Sequence, residues 1–153
     1  MHTPQLQPEH QRLAQLAGSW IGRETIQPSA WSPKGGTARC AFDARLVAGG
    51  FFLVSDYVHE EGTTGMNLRA HAVTGWDPER RAYVQHWFDA FGRDEGRGVW
   101  EGDTLTFEFA NHRTRYTLDG AGFGFEVEAR RPAEGATPGW SRLQEGAYRR
   151  SSP

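Results

Sequence analysis

Residues 96–131 read GRGVWEGDTLTFEFANHRTRYTLDGAGFGFEVEARR, four alternating stretches separated by Gly102-Asp103, Asn111-His112 and Asp119–Gly122. Such separators favour tight turns between antiparallel strands, so the register can be tested. With Gly102-Asp103 as a two-residue turn, Glu101 opposes Thr104, Trp100 faces Leu105, Gly98 and Gly96 face Phe107 and Phe109, and Arg97 meets Glu108. Carried through Asn111-His112, the same register predicts Tyr116 opposite Phe107, Leu118 opposite Leu105 and Arg115 beside Glu108. Through Asp119–Gly122 it predicts Phe125 opposite Tyr116, Phe123 opposite Leu118, Glu126 opposite Arg115 and Glu128 opposite Arg113. One face then gathers Trp100, Leu105, Phe107, Phe109, Tyr116, Leu118, Phe123, Phe125 and Val127. The other is an exposed Arg/Glu ladder.

Outward from this segment, alternation continues over 19–27, 37–48, 51–60, 66–76, 82–90, 96–101, 104–110, 113–118, 123–131 and 139–149, with mostly short turns between. One segment reads as helix, 8–17: Pro8 in the first turn, Glu9 beside it, then Leu13, Leu16 and Ala17 until Gly18. Ten strands and one short helix would leave open edges and an uncovered apolar face unless the sheet closes. The expected fold is an all-β, ten-stranded antiparallel up-and-down barrel over 19–149, with the helix across one end and 1–153 as a single domain. A two-sheet sandwich is the alternative. A ten-stranded barrel is wide enough for a cavity.

Composition limits the function. The chain has 153 residues, 37% hydrophobic and 24% charged, with a net charge of -2 and one cysteine, Cys40. Mixed charges argue against nucleic acid and acidic membrane surfaces, and a lone cysteine forbids an internal disulfide. No apolar window is long enough to span a membrane and the N-terminus lacks the build of a secretory signal, so a cytoplasmic protein is expected.

The run Gln7–Trp20, QPEHQRLAQLAGSW, followed by Gly49-Gly50, Gly75-Trp76-Asp77-Pro78, Trp87-Phe88-Asp89 and Ala147-Tyr148-Arg149-Arg150, resembles a bacterial family known only as a domain of unknown function, the 1579 series. The resemblance covers almost the whole chain. It implies the calycin-type barrel of lipocalins, fatty-acid-binding proteins and nitrobindins, and no activity. Gly18-Ser19-Trp20-Ile21-Gly22 is similar to the first-strand signature of nitrobindins and lipocalins, which implies that Trp20 plugs the barrel bottom. Nitrobindins hold haem through a His near the C-terminus, and this chain has no His after His112. Fatty-acid-binding proteins clamp a carboxylate with Arg-x-Tyr on the last strands. Arg142 and Tyr148 share parity here but lie six residues apart, which leaves an anion clamp open.

The histidines, His2, His10, His59, His71, His86 and His112, show no metal-site spacing, and no nucleophile elbow or phosphate loop is present. No metal or cofactor is expected. His112 reads as a turn residue and His10 as part of the helix surface. A four-residue turn at Asp77–Arg80 would point Tyr83, Gln85, Trp87 and Asp89 inward, the first three facing Thr74, Ala72 and Ala70. A loop one residue longer would turn Val84, His86 and Phe88 inward instead. The first set is favoured because Trp87 packs well against Ala70. On the third strand, Glu60 opposite Met66 puts Phe52, Val54, Asp56 and Val58 inside, whereas one residue fewer in the loop gives Phe51, Leu53, Ser55, Tyr57 and His59.

The expected ligand contacts are therefore Tyr83, Gln85, Trp87, Asp89, Trp100, Phe107, Phe109, Tyr116, Phe125, Arg142 and Tyr148. The expected function is binding of a small, largely apolar molecule, aromatic or carboxylated. The partner class is thus a small hydrophobic ligand, with a homodimer left open. The alternative is an enzyme of proton-transfer isomerisation or cyclisation, with Asp89 or His86 as base and Tyr116 or Tyr83 as donor. A haem or nitric-oxide binder is a third. Binding without chemistry needs fewer assumptions.

Overall fold

Alternating stretches of the chain form ten strands: β1 (Gly18–Ile26), β2 (Gly36–Val47), β3 (Phe52–His59), β4 (Leu68–Asp77), β5 (Ala82–Asp89), β6 (Gly92–Glu101), β7 (Thr104–Glu108), β8 (His112–Leu118), β9 (Gly122–Glu134) and β10 (Thr137–Arg150). The computed structural model describes residues 2–30, 32–60, 62–64, 67–134 and 137–151. Each strand pairs antiparallel with the next, and β1 pairs with β10 from Trp20–Arg150 to Ile26–Gln144. The barrel is closed, as the number of strands and the single short helix predict.

The helix is shorter than 8–17. It forms as α1 (Pro8–Leu13) and tightens into a 3-10 turn over Ala14–Leu16. Leu13 and Leu16 are buried over one end of the barrel, and Leu16 carbonyl accepts the Trp20 Nε1–H at 2.9 Å, so helix and plug are tied together. His10 is buried rather than on the helix surface: its Nδ1 accepts Gln7 N–H at 2.9 Å and its ring meets Phe51 edge-on at 5.0 Å. Among the described residues no helix is long and apolar enough to cross a membrane.

The inner face is the predicted one, with Leu105, Phe107, Phe109, Tyr116, Phe123, Phe125 and Val127 buried and Trp100 and Leu118 packed against them. Across β6 and β7 the pairs Trp100–Leu105, Gly98–Phe107 and Arg97–Glu108 are as expected. The glycines serve contact: the Phe107 ring lies over Gly98, and a methyl group on Gly96 would stand 2.7 Å from the Phe109 ring. Two turns sit one residue away from their expected places. The β7–β8 turn is Ala110-Asn111, with Phe109 N–H donating to His112 carbonyl at 2.9 Å, so Leu105, not Phe107, faces Tyr116, and Arg113, not Arg115, faces Glu108. The β4–β5 turn falls after Asp77, whose Oδ1 accepts Glu79 and Arg80 N–H, so Tyr83, Gln85 and Trp87 face Trp76, Thr74 and Ala72. Moving a turn by one residue shifts the register by two, which changes every partner and preserves every face.

On β3, His59 opposes Leu68, one residue beyond the Glu60–Met66 pairing, and Met66 itself lies outside the described residues. Parity follows the second alternative: Leu53, Tyr57 and His59 are buried. The outer ladder pairs Arg113 with Glu128 at 3.0 Å and joins Arg115 to Glu128 at 3.5 Å and to Glu126 at 4.0 Å. Glu128 is not exposed as expected, because these guanidiniums cover it. Burial alone would raise its carboxyl, but Arg113, Arg115 and Arg142 outweigh that and hold it below the ordinary value. Arg97 makes its bond elsewhere, donating to Arg80 carbonyl at 3.2 Å.

Candidate functional site: a cavity at the open end of the barrel

The interior is filled unevenly. Beneath the helix, Leu13, Leu16, Trp20, Phe42, Phe107, Tyr116 and Phe123 leave only about 20 Å³, room for about one water. At the opposite end a cavity of about 250 Å³ opens to solvent. Its wall is Tyr57, Leu68, Trp87, Phe109, Phe125 and Val127, its polar groups include Thr114, Gln144 and His112, and Asp89, Asp94 and Arg93 stand at the mouth. This is an apolar pocket with a few polar groups, of the kind that receives small ligands.

Local bonds fix the mouth. Asp89 ends β5 and takes Trp87 Nε1–H on Oδ2 at 2.9 Å and Phe91 N–H on Oδ1 at 2.8 Å, which holds both the indole and the turn into β6. Phe91 is 76% exposed beside the opening. His112 starts β8 and stacks on Phe109 at 4.5 Å with the planes 3° apart, so it lines the cavity in addition to following a turn. Burial lowers its pKa, against the pull of Asp94 and Asp89.

The floor rests on a carboxylate. Glu24, on β1 in phase with Trp20 and Ile26, is 0% exposed. Its Oε2 accepts the hydroxyls of Tyr57, at 2.8 Å, and Tyr148, while Oε1 accepts Gln144 Nε2–H at 2.6 Å. A buried carboxylate with three donors is satisfied. Tyr57 hydroxyl also lies 3.6 Å from Cys40 Sγ and 3.5 Å from His59 Nδ1. Burial, with Glu24 adding to it, pushes the Cys40 thiol up to about 12 and drives the Tyr57 and Tyr148 hydroxyls well above their ordinary range. Burial lowers His59, against the opposing charge of Glu24. Among the described residues no group of three or more His, Cys, Asp or Glu gathers as a metal site.

Of the expected ligand contacts, Trp87, Asp89, Phe109 and Phe125 come together around this cavity. Gln85, Phe107 and Tyr116 belong to the filled end. Tyr83 and Trp100 stand in a groove beside the helix, Trp100 Nε1–H donating to Tyr83 hydroxyl at 3.2 Å and Tyr83 in turn to Glu9 carbonyl at 2.6 Å. Trp87 and Trp100 therefore do not face one cavity. Arg142 and Tyr148 do not share a face either, because the β9–β10 register shifts between Arg142 and Gln144. That bulge leaves Arg142 outside, ion-paired with Glu126 at 3.4 Å and Glu145 at 2.6 Å, while Tyr148 is buried against Glu24. The anion clamp that the sequence leaves open does not form between them. The groups of the enzyme alternative are dispersed as well: Asp89 is at this cavity, Tyr116 in the filled end, Tyr83 beside the helix, and His86 on the outer surface, 3.8 Å from Glu95.

Glu24, Gln144, Thr114 and His112 join the site beyond the expected contacts. Glu24 carried a signal, since it shares parity with Trp20 on β1, and a strand with an inward Trp has an inward residue four positions on.

A closed ten-stranded antiparallel barrel with a helix over one end and a pocket at the other defines the class. The chain belongs to the family described as "Protein of unknown function (DUF1579)", whose model matches residues 5–125. Among solved structures it is similar to the crystal structure of Rv2717c from M. tuberculosis, with 16% identity, a TM-score of 0.69, and coverage of 97% of this chain and 100% of that one. At this identity the likeness is one of fold. No curated protein matches.

Proposed function

We propose that the protein binds a small, largely apolar molecule in the open-end cavity. The observation that carries this reading is the contrast in filling: one chain packs its barrel to about 20 Å³ beneath the helix yet keeps about 250 Å³ at the other end behind an aromatic wall. Interiors are ordinarily close-packed, so a void of this size, open at a mouth, suits an occupant. The base and donor of the enzyme alternative are not paired there: of Asp89, His86, Tyr116 and Tyr83 the cavity is lined by Asp89, which is engaged by Trp87 and Phe91.

N-phenyl-1-naphthylamine tests the reading. Its fluorescence should rise on titration with the protein, with one probe bound per chain and quenching of tryptophan emission through Trp87. Val127→Trp, which fills the cavity from its wall, should abolish the signal with the far-UV spectrum unchanged. Undiminished binding in that variant would place the ligand elsewhere and end the proposal.

A further inference from the structure

The donors and acceptors at the cavity floor point in consistent directions. Glu24 is wholly buried and takes the Tyr57 hydroxyl proton, the Tyr148 hydroxyl proton and a Gln144 Nε2–H. A carboxylate only accepts, so the Gln144 amide must turn its nitrogen to Glu24 and its carbonyl oxygen away. Gln144 and Tyr57 both line the cavity. The Tyr57 O–H and one Gln144 N–H go to Glu24, and the amide nitrogen also reaches the Tyr57 hydroxyl at 3.5 Å, so what remains for a ligand is acceptor capacity: Gln144 Oε1 and the remaining lone pair of Tyr57. A second, independent observation lies on the neighbouring wall. Thr114 is 5% exposed, its Oγ1 has no hydrogen-bond partner among the described residues, and the residue lines the same cavity. The charges agree, since the charged lining residues are Asp89, Asp94 and Arg93, all at the mouth, and Arg142 is held outside by the β10 bulge. Nothing cationic in the lining lies deep enough to receive a carboxylate.

Resting on the binding reading above, we infer that the occupant carries a nitrogen donor, an amine or a ring N–H, at its inner end, seated on Gln144, Tyr57 and Thr114 with its apolar body against Trp87 and Phe125. A carboxylate of the same shape is disfavoured, because at Gln144 and Tyr57 it would bring acceptors to acceptors beside the buried Glu24, with the Thr114 hydroxyl as the one donor of the three.

Three matched probes separate the claims by calorimetry at pH 7: 1-methylnaphthalene, 1-(aminomethyl)naphthalene and 1-naphthoic acid. The amine should bind at least about tenfold more tightly than the hydrocarbon, and the acid more weakly than either, the difference expected of roughly one satisfied buried hydrogen bond. Gln144→Leu should remove the advantage of the amine over the hydrocarbon, with the far-UV spectrum and a cooperative unfolding transition reporting that the variant folds. Tyr57→Phe keeps the ring and should reduce the same advantage in smaller degree; it supplies the reading if Gln144→Leu does not fold. Binding of the acid as tight as the amine overturns the inference and leaves cavity binding standing. So does an amine advantage that survives both floor variants and disappears in Asp89→Asn/Asp94→Asn, since recognition would then lie at the mouth. Failure of all three probes instead removes the binding proposal beneath it.

Discussion

The two ends of the barrel are built from the same alternating strands and solve opposite problems. Under the helix, Trp20, Phe42 and Phe123 meet ring to ring, with centroids 5.2 and 5.8 Å from Phe123, and Leu13 and Leu16 close what is left. At the open end Trp87, Phe109 and Phe125 also point inward, yet no helix descends on them and their rings border empty space. Only the floor is drawn tight, and there a carboxylate does it. Alternation therefore decides which side chains enter a barrel. Whether they touch is decided by what caps it.

The sharpest way to break this contrast is Glu24→Ala. It would leave the hydroxyls of Tyr57 and Tyr148 and the Gln144 amide without their acceptor, and each buried unsatisfied group costs about 1–3 kcal/mol. A loss above about 3 kcal/mol in urea unfolding is expected; a mild loss would mean that the open end does not depend on its polar floor. Next comes a pair of truncations. Phe107→Ala in the filled end should cost about 3–5 kcal/mol, whereas Phe109→Ala at the cavity should cost less, under about 2 kcal/mol, because that ring already lacks neighbours on one side. Equal losses would make both ends full.

The pH dependence sharpens the floor. Cys40 goes from 9.0 to about 12, and Tyr57 and Tyr148 rise from 10.0. Above about pH 9 the unfolded chain releases these protons first, so stability present at neutral pH should fall as pH climbs towards 12. His59 and His112 are depressed from 6.5 by burial, so their contribution is present above that value and lost as pH falls below it. Unfolding midpoints measured from pH 5 to 11 should trace a plateau with shoulders on both sides. The smallest effect is on the outer face: Glu108→Ala should change stability by ~0–1 kcal/mol, since Glu108 is exposed and Arg97 opposite bonds to Arg80 carbonyl.

Most of the fold was legible because parity is robust. Gly102-Asp103 and Asp119–Gly122 were read correctly, and the misplaced β7–β8 and β4–β5 turns still left Tyr116, Tyr83 and Gln85 inside. The site was less legible. Whether inward residues share one cavity depends on depth along the barrel, which alternation does not encode, and Trp87 and Trp100 ended at different depths for that reason. A bulge is also silent in an alternating pattern, so Arg142 was expected on the face of Tyr148. Glu24 is hard to read as an inward residue because a buried carboxylate is rare unless it has donors, and its donors arrive from β3 and β10, far along the chain.

Those distances bear on the order of assembly. Every strand pairing except β1 with β10 joins neighbours in sequence, and the Glu24 cluster bridges that seam, with Tyr148 124 residues away. Local hairpins have little loop entropy to overcome, whereas this contact must wait until the last strand returns to the first. The carboxylate is thus expected on the late side of the folding barrier. Stopped-flow chevrons of Glu24→Gln should show the unfolding limb raised severalfold and the refolding limb almost superimposed on that of the parent chain.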